Sequence, residues 1–66
     1  MKHLTFYLAN IRKEKGFTTR ELAEICGISV RSIERIERGN VSPLLETMCK
    51  LAVALDVPVT DLFLYE

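Results

Sequence analysis

TTRELAEICGISVRSIERIERGN, residues 18–40, is the stretch whose reading decides the fold. It opens on Thr18, followed three residues later by Glu21. This is the capping-box pair that satisfies two orphan amides at a helix start, and Phe17 and Leu22 flank it as a hydrophobic staple. A helix over 19–26 follows, with Leu22, Ala23 and Cys26 on its inward side. Gly27 stands where a tight turn between helices crossing at about 90–120° needs positive φ, a conformation glycine adopts without a Cβ penalty. Ser29 then caps a helix over 30–38, with Ile28 and Ile33 as its staple. At about 100° per residue, Ile33 and Ile36 share one side of that helix, and Arg31, Glu34, Arg35 and Arg38 collect on the other. Every cation on this flank is an arginine, whose planar fork suits phosphate oxygens and the edge of guanine. By itself the flank fits an ordinary solvated helix face equally well.

Working outward, the chain is short: 66 residues, 48% of them apolar, with a formal net charge of zero. That is one small domain, residues 1–66, near the lower limit of independent folding, with enough apolar material for one core and some left over. The zero hides an asymmetry. Residues 1–40 hold eight Lys/Arg against five Asp/Glu, and residues 41–66 hold one against four, so a front of +3 faces a back of −3. Such a dipole orients the molecule on a polyanion, with modest nonspecific affinity and marked salt sensitivity. No stretch approaches the ~20 apolar residues needed to cross a bilayer. No basic-then-apolar leader opens the chain, so no membrane partner and a cytoplasmic location are expected.

On the N-terminal side, Leu4, Leu8 and Ile11 recur at helical steps and predict a first helix over 2–15, with Phe6 and Tyr7 off its main stripe. Lys13 and Lys15 suit its carbonyl end, and Gly16 stops it. On the C-terminal side, Gly39 ends the 30–38 helix in the left-handed conformation. Ser42 as cap and Pro43 at the first position then predict a fourth helix over about 44–56. Leu45, Met48, Leu51, Ala52 and Leu55 form its buried stripe. Pro58 breaks the chain before a short fifth helix, 59–64, that presents Leu62 and Phe63. Nothing reads as a strand, so the expected class is all-α.

Catalysis and metal binding find no support. Cys26 and Cys49 lie 23 residues apart without a CxxC pair, and His3 is the lone histidine. A four-ligand zinc site cannot be assembled from these residues within one chain, and both cysteines read as reduced packing residues. There is no nucleophile–base–orienter set and no glycine loop to cradle phosphate. Glu21 and Glu24 are ordinary helix-surface spacing. No enzyme activity, cofactor or small-molecule ligand is expected.

The run from Leu8 to Phe63 resembles the Cro/repressor helix-turn-helix family of bacteria and their phages. The matching stretches are IRKEKGFT, ELAEICGIS, IERIERG, PLLETMCKLAVALDVP and DLF, in the right order and spacing over about five-sixths of the chain. The resemblance implies a compact five-helix DNA-binding domain whose third helix enters the major groove, usually as half of a symmetric dimer. It places Val30, Arg31, Ser32 and Arg35 near base edges, with Ser29 close to the backbone. Arg31 is the leading candidate for a contact to guanine O6 and N7, with Arg35 next. Glu34 would orient these arginines or accept from a cytosine amino group, and Arg38 completes the basic flank. Val30 reaches at most a thymine methyl, and Val30 and Ser32 also read simply as a helix start.

Phosphate contacts are expected from the amides around Thr19 and Arg20 at the start of the second helix, and from Asn40 after the third. Relatives commonly carry glutamine at the position of Thr19. Threonine is too short to bridge a phosphate and a reading side chain, so only the amide role carries over. Charged residues matching Arg12 and Glu37 pair in the family between the first and third helices. The plain alternative is two surface charges worth ~0–1 kcal/mol.

Leftover hydrophobicity points to a homodimer. Leu44, where relatives usually carry a polar residue, together with Val53, Val57, Val59, Leu64 and Tyr65, exceeds what one five-helix core hides. The plain alternative is a slightly apolar monomer. A twofold dimer through the fifth helix and the end of the fourth would set two reading helices about 34 Å apart on successive major grooves. The expectation is therefore a sequence-specific transcriptional regulator of a twofold-symmetric double-stranded operator, similar to Cro or to a restriction-modification controller. No room is left for a sensing domain, so regulation would follow protein concentration and cooperative dimer binding. The alternative is a protein-interaction module or antitoxin subunit that docks a protein on the same surface.

Overall fold

The computed structural model describes residues 2–66. Its two ends are tied together. Strand β1, Leu4–Phe6, pairs antiparallel with strand β2, Phe63–Tyr65, in the register Leu4↔Tyr65, Thr5↔Leu64, Phe6↔Phe63. His3 and Glu66 extend the ladder by exchanging backbone hydrogen bonds of 2.6 and 3.0 Å.

This pairing corrects the all-helical expectation at both ends. The first helix does not run over 2–15. Helix α1 is Leu8–Glu14, and Tyr7, whose amide donates to the Leu62 carbonyl at 2.8 Å, is where the chain leaves the ladder. The fifth helix over 59–64 is a single 3₁₀ turn, Val59–Asp61, after which the backbone extends into β2. Branched and aromatic side chains, Thr5, Phe6, Phe63 and Tyr65, favour the pleated conformation once a partner strand is available. Phe6 and Phe63 are half-buried against the core, and Leu4, expected on the buried side of a helix, is exposed.

Helices α2, Thr19–Cys26, and α3, Val30–Glu37, form where the local signals put them. The Thr18 hydroxyl accepts from the Glu21 amide at 3.0 Å, and the Glu21 carboxylate accepts from the Thr18 amide at 2.9 Å. Gly27, at φ +69°, turns the chain, and the Ser29 hydroxyl accepts from the Ser32 amide at 3.1 Å to start α3. Helix α4, Leu45–Leu55, begins later than Ser42 and Pro43 suggested. Leu44 occupies the cap position without a side-chain bond, and Pro43 lies just ahead of it, half-buried in the loop. Asp56 ends α4 at φ +57°, and Val57 donates back to the Ala52 carbonyl at 3.0 Å.

The buried core is Leu8, Leu22, Ala23, Ile33, Ile36, Met48, Leu51, Ala52, Leu55 and Leu62, and among the described residues it contains no polar or charged side chain. Helix α2 packs on both α3 and α4, so the core holds α3 by one side only. Leu45, expected in the buried stripe, is 71% exposed, because at about 100° per residue it falls at the margin of the face that buries Met48, Leu51 and Leu55, beside the exposed Cys49. Cys26 is only half-buried. Among the described residues no helix is long and apolar enough to cross a membrane.

Candidate nucleic-acid interface

Helix α3 has two chemically opposed sides. Ile33 and Ile36 are buried at 0% and 2% exposure, which fixes the rotation of the helix on its scaffold. That rotation turns Arg31, Arg35 and Arg38 to solvent, and with Glu34, Asn40 and Val41 they line an open groove of about 730 Å³. Among the described residues the ion pairs are Arg12–Glu37 and Glu46–Lys50, so the three arginines carry no carboxylate partner. Glu34, half-buried between them, does not tether them. Three guanidinium groups, two on α3 and one on its C-terminal cap residue, are free of internal partners and keep all their donors for an external acceptor.

The ends of α3 arrange the polar groups around this flank. Ser29 spends its hydroxyl proton on Ser32 Oγ at 2.9 Å, so the cap is a closed pair in which Ser32 retains its own hydroxyl proton. Val30 is half-buried against the core. At the other end the Gly39 amide donates to the Ile36 carbonyl at 3.0 Å, and the Asn40 amide to the Arg35 carbonyl at 3.2 Å. This is the Schellman closure, and Gly39, at φ +74°, adopts the left-handed conformation it requires. The fold-back brings the exposed Asn40 into the arginine groove and adds Val41, which the sequence reading did not include. Gly39 was the signal that the chain reverses there.

At the start of α2 the capping box occupies the amides of Thr18 and Glu21. Those of Thr19 and Arg20 take no internal partner among the described residues. The Thr19 side chain is half-buried and that of Arg20 is exposed. The same capping bonds hold the Glu21 pKa below its ordinary value, chiefly through the hydrogen bond from the Thr18 backbone.

Arg12 and Glu37 join α1 to α3. Nε donates to Oε2 at 2.6 Å and Nη2 to Oε1 at 3.2 Å, while Nη1 donates to the Phe17 carbonyl at 2.9 Å. The hydrogen bond to Glu37 raises the Arg12 pKa above its ordinary value, against the opposing effect of burial. Arg12 thus stays charged and ties α3, α1 and the loop into α2 at one point.

The remaining site residues divide. Leu44, Val53, Leu64 and Tyr65 are exposed, whereas Val57 and Val59 are half-buried against the protein's own core and are not surplus. Both cysteines are free; the Cys26 thiol donates to the Lys50 carbonyl at 3.8 Å, and burial pushes its pKa up.

Comparison with known proteins agrees with this geometry. The chain is 35% identical over 57 residues to the HTH-type transcriptional regulator SutR of Escherichia coli K12; the match covers 86% of this chain and 32% of SutR. The chain therefore spans about a third of that relative's length. Among solved structures, the restriction-modification controller protein C.AhdI of Aeromonas hydrophila superposes with a TM-score of 0.78 at 31% identity, covering 82% of each chain. The N-terminal DNA binding domain of SinR from Bacillus subtilis superposes with a TM-score of 0.75 at 35% identity, covering 80% of this chain and 78% of that one. These relatives are regulators rather than enzymes. A helix-turn-helix family model matches residues 8–62, which is most of the molecule, and the chain belongs to that family, as its motifs indicated.

Proposed function

We propose that this protein is a sequence-specific, double-stranded DNA-binding transcriptional regulator that lays α3 in the major groove and works as a homodimer. The observation that carries the reading is the flank of α3, where Arg31, Arg35 and Arg38 stand exposed and free of carboxylate partners opposite the buried Ile33 and Ile36. A cationic helix flank of this kind fits the major groove, where a guanidinium reads guanine O6 and N7 in a forked contact. In this reading Arg31 and Arg35 face base edges with Ser32, and Val30 touches at most a thymine methyl. Arg38, Asn40 and the amides of Thr19, Arg20 and Ser29 hold phosphates. Leu44, Val53, Leu64 and Tyr65 supply apolar surface for the second subunit. A twofold dimer doubles the contacts of a small module and sets the two reading helices about one helical turn apart.

The test is selection from random duplex DNA by the purified protein at two salt concentrations. Enrichment of a twofold-symmetric consensus is expected, with affinity falling steeply as salt rises. No enriched sequence, together with uniform loss of retention by moderate salt, overturns the reading in favour of a protein-docking module.

A further inference from the structure

Glu34 shares the arginine groove with Arg31, Arg35 and Arg38. It lies three residues after Arg31 and four before Arg38, the spacings at which side chains of a helix are neighbours, and a glutamate ahead of its cation is in the favoured order for pairing. Yet among the described residues the ion pairs are Arg12–Glu37 and Glu46–Lys50, and Glu34 enters no side-chain hydrogen bond. Orienting the arginines is therefore not its task. A half-buried carboxylate stands without a partner among three guanidinium groups.

Against DNA such a group must be met by a donor. Entry into the major groove strips water from the carboxylate, and an ionised group desolvated without a hydrogen bond is costly. The groove offers few donors. Guanine shows N7 and O6 and thymine shows O4, all acceptors, so only cytosine N4 and adenine N6 present an N–H. Adenine sets its N7 acceptor beside that amino group, which repels a carboxylate, whereas cytosine has no acceptor on this edge.

We propose that Glu34 is a specificity-determining residue that demands a cytosine amino group, in the base pair whose guanine Arg31 reads or in the adjoining one. This rests on the DNA-reading function proposed above and adds to it a required base. The spacing follows from the helix, since three residues advance about 4.5 Å along α3, against about 3.4 Å between base pairs. Selection works by repulsion as well as attraction, because guanine, thymine or adenine in that place turns an acceptor towards the carboxylate. The contact also has a chemical signature. One N4 hydrogen of cytosine pairs with guanine across the duplex and the other faces the major groove. A methyl group on N4 takes the outward place when pairing is kept, so N4-methylcytosine lacks the donor.

The experiment uses the whole chain and the consensus it selects from random duplex DNA, with the guanine read by Arg31 identified as the one whose preference Arg31→Ala relaxes. Wild type is expected to require cytosine at that base pair or the next, and to lose affinity at least about fivefold with another base or with N4-methylcytosine there. Glu34→Ala is expected to lose the preference, to ignore the methyl group and to bind random duplexes more tightly than wild type, since an anion has left the DNA-facing flank. Glu34→Gln, of the same size but uncharged, is expected to move the preference from cytosine towards adenine, whose N6 and N7 suit an amide. Circular dichroism stays unchanged in both variants. If wild type selects a consensus that both variants keep at every position, or if N4-methylcytosine is tolerated, this role falls while the DNA-reading function stands. Equal weakening of specific and random duplexes by both variants makes Glu34 structural and also overturns the role. If wild type enriches no sequence, role and function fall together.

Discussion

Arg12 of α1 and Glu37 of α3 meet in a two-pronged ion pair, 2.6 and 3.2 Å, with side chains only 11% and 12% exposed. A pair so far removed from water gains little over an apolar replacement, but breaking it strands a charge. Arg12→Ala or Glu37→Ala is expected to cost roughly 3 kcal/mol in urea unfolding. Arg12→Met combined with Glu37→Leu is expected to recover most of that loss. A loss of ~1 kcal/mol or less in both single variants would show that the pair behaves as a surface contact.

Because Arg31, Arg35 and Arg38 are solvent-facing, their removal is expected to leave stability within about 0.5 kcal/mol. DNA binding separates them. Arg31→Ala and Arg35→Ala are each expected to lose about 1–3 kcal/mol of affinity for the selected operator and to relax its sequence preference at one position. Arg38→Ala is expected to weaken all duplexes alike and to reduce the slope of log affinity against log salt by about 1. Equal loss on specific and random duplexes for Arg31→Ala would remove it from the base-reading set.

What the sequence made legible was local. Thr18 with Glu21, Ser29, and the glycines at 27 and 39 each carry their signal within a few residues, so α2, the turn and α3 were readable to within a residue. The outer flank of α3 followed from its inner one, since burying Ile33 and Ile36 leaves the arginines nowhere but outside. The β1–β2 ladder was not readable, because it joins residues some sixty positions apart and Leu4, Leu8 and Ile11 fall at helical steps whether or not Leu4 is helical. The same blindness placed Leu45 in the core: periodicity gives the side of a helix but not how far round it the core reaches. Val41 entered the groove only through the loop that folds back after Gly39.

Glu21 titrates in a capping box, and its pKa is lowered by the Thr18 hydrogen bonds. A carboxylate whose folded pKa is depressed contributes stability that is present above the unfolded value of about 4.3. That contribution is lost as pH falls through the folded value. Wild type is therefore expected to melt above Glu21→Gln near neutral pH, because the amide keeps the cap but not the charge at the helix start. The gap should close on acidification below about pH 4, measured as the difference in Tm across a pH series. A gap that stays constant to low pH would mean that the carboxylate's charge contributes nothing.

Asp56 holds φ +57° at the end of α4 and is the one non-glycine residue with positive φ among those described. The conformation is required, since the Val57 amide must reach the Ala52 carbonyl to close the helix. Aspartate tolerates the left-handed region better than most residues, yet its Cβ still crowds the following carbonyl oxygen. Asp56→Gly relieves that crowding, while the freer unfolded chain offsets part of the gain. A net stabilisation of about 0.5 kcal/mol is expected from urea unfolding with an unchanged m value. Gly39→Ala runs the other way, because it puts a Cβ at φ +74° where α3 closes, and is expected to cost about 1 kcal/mol. If Asp56→Gly instead destabilises, the Asp56 carboxylate is making a contribution at the helix end that outweighs its backbone strain.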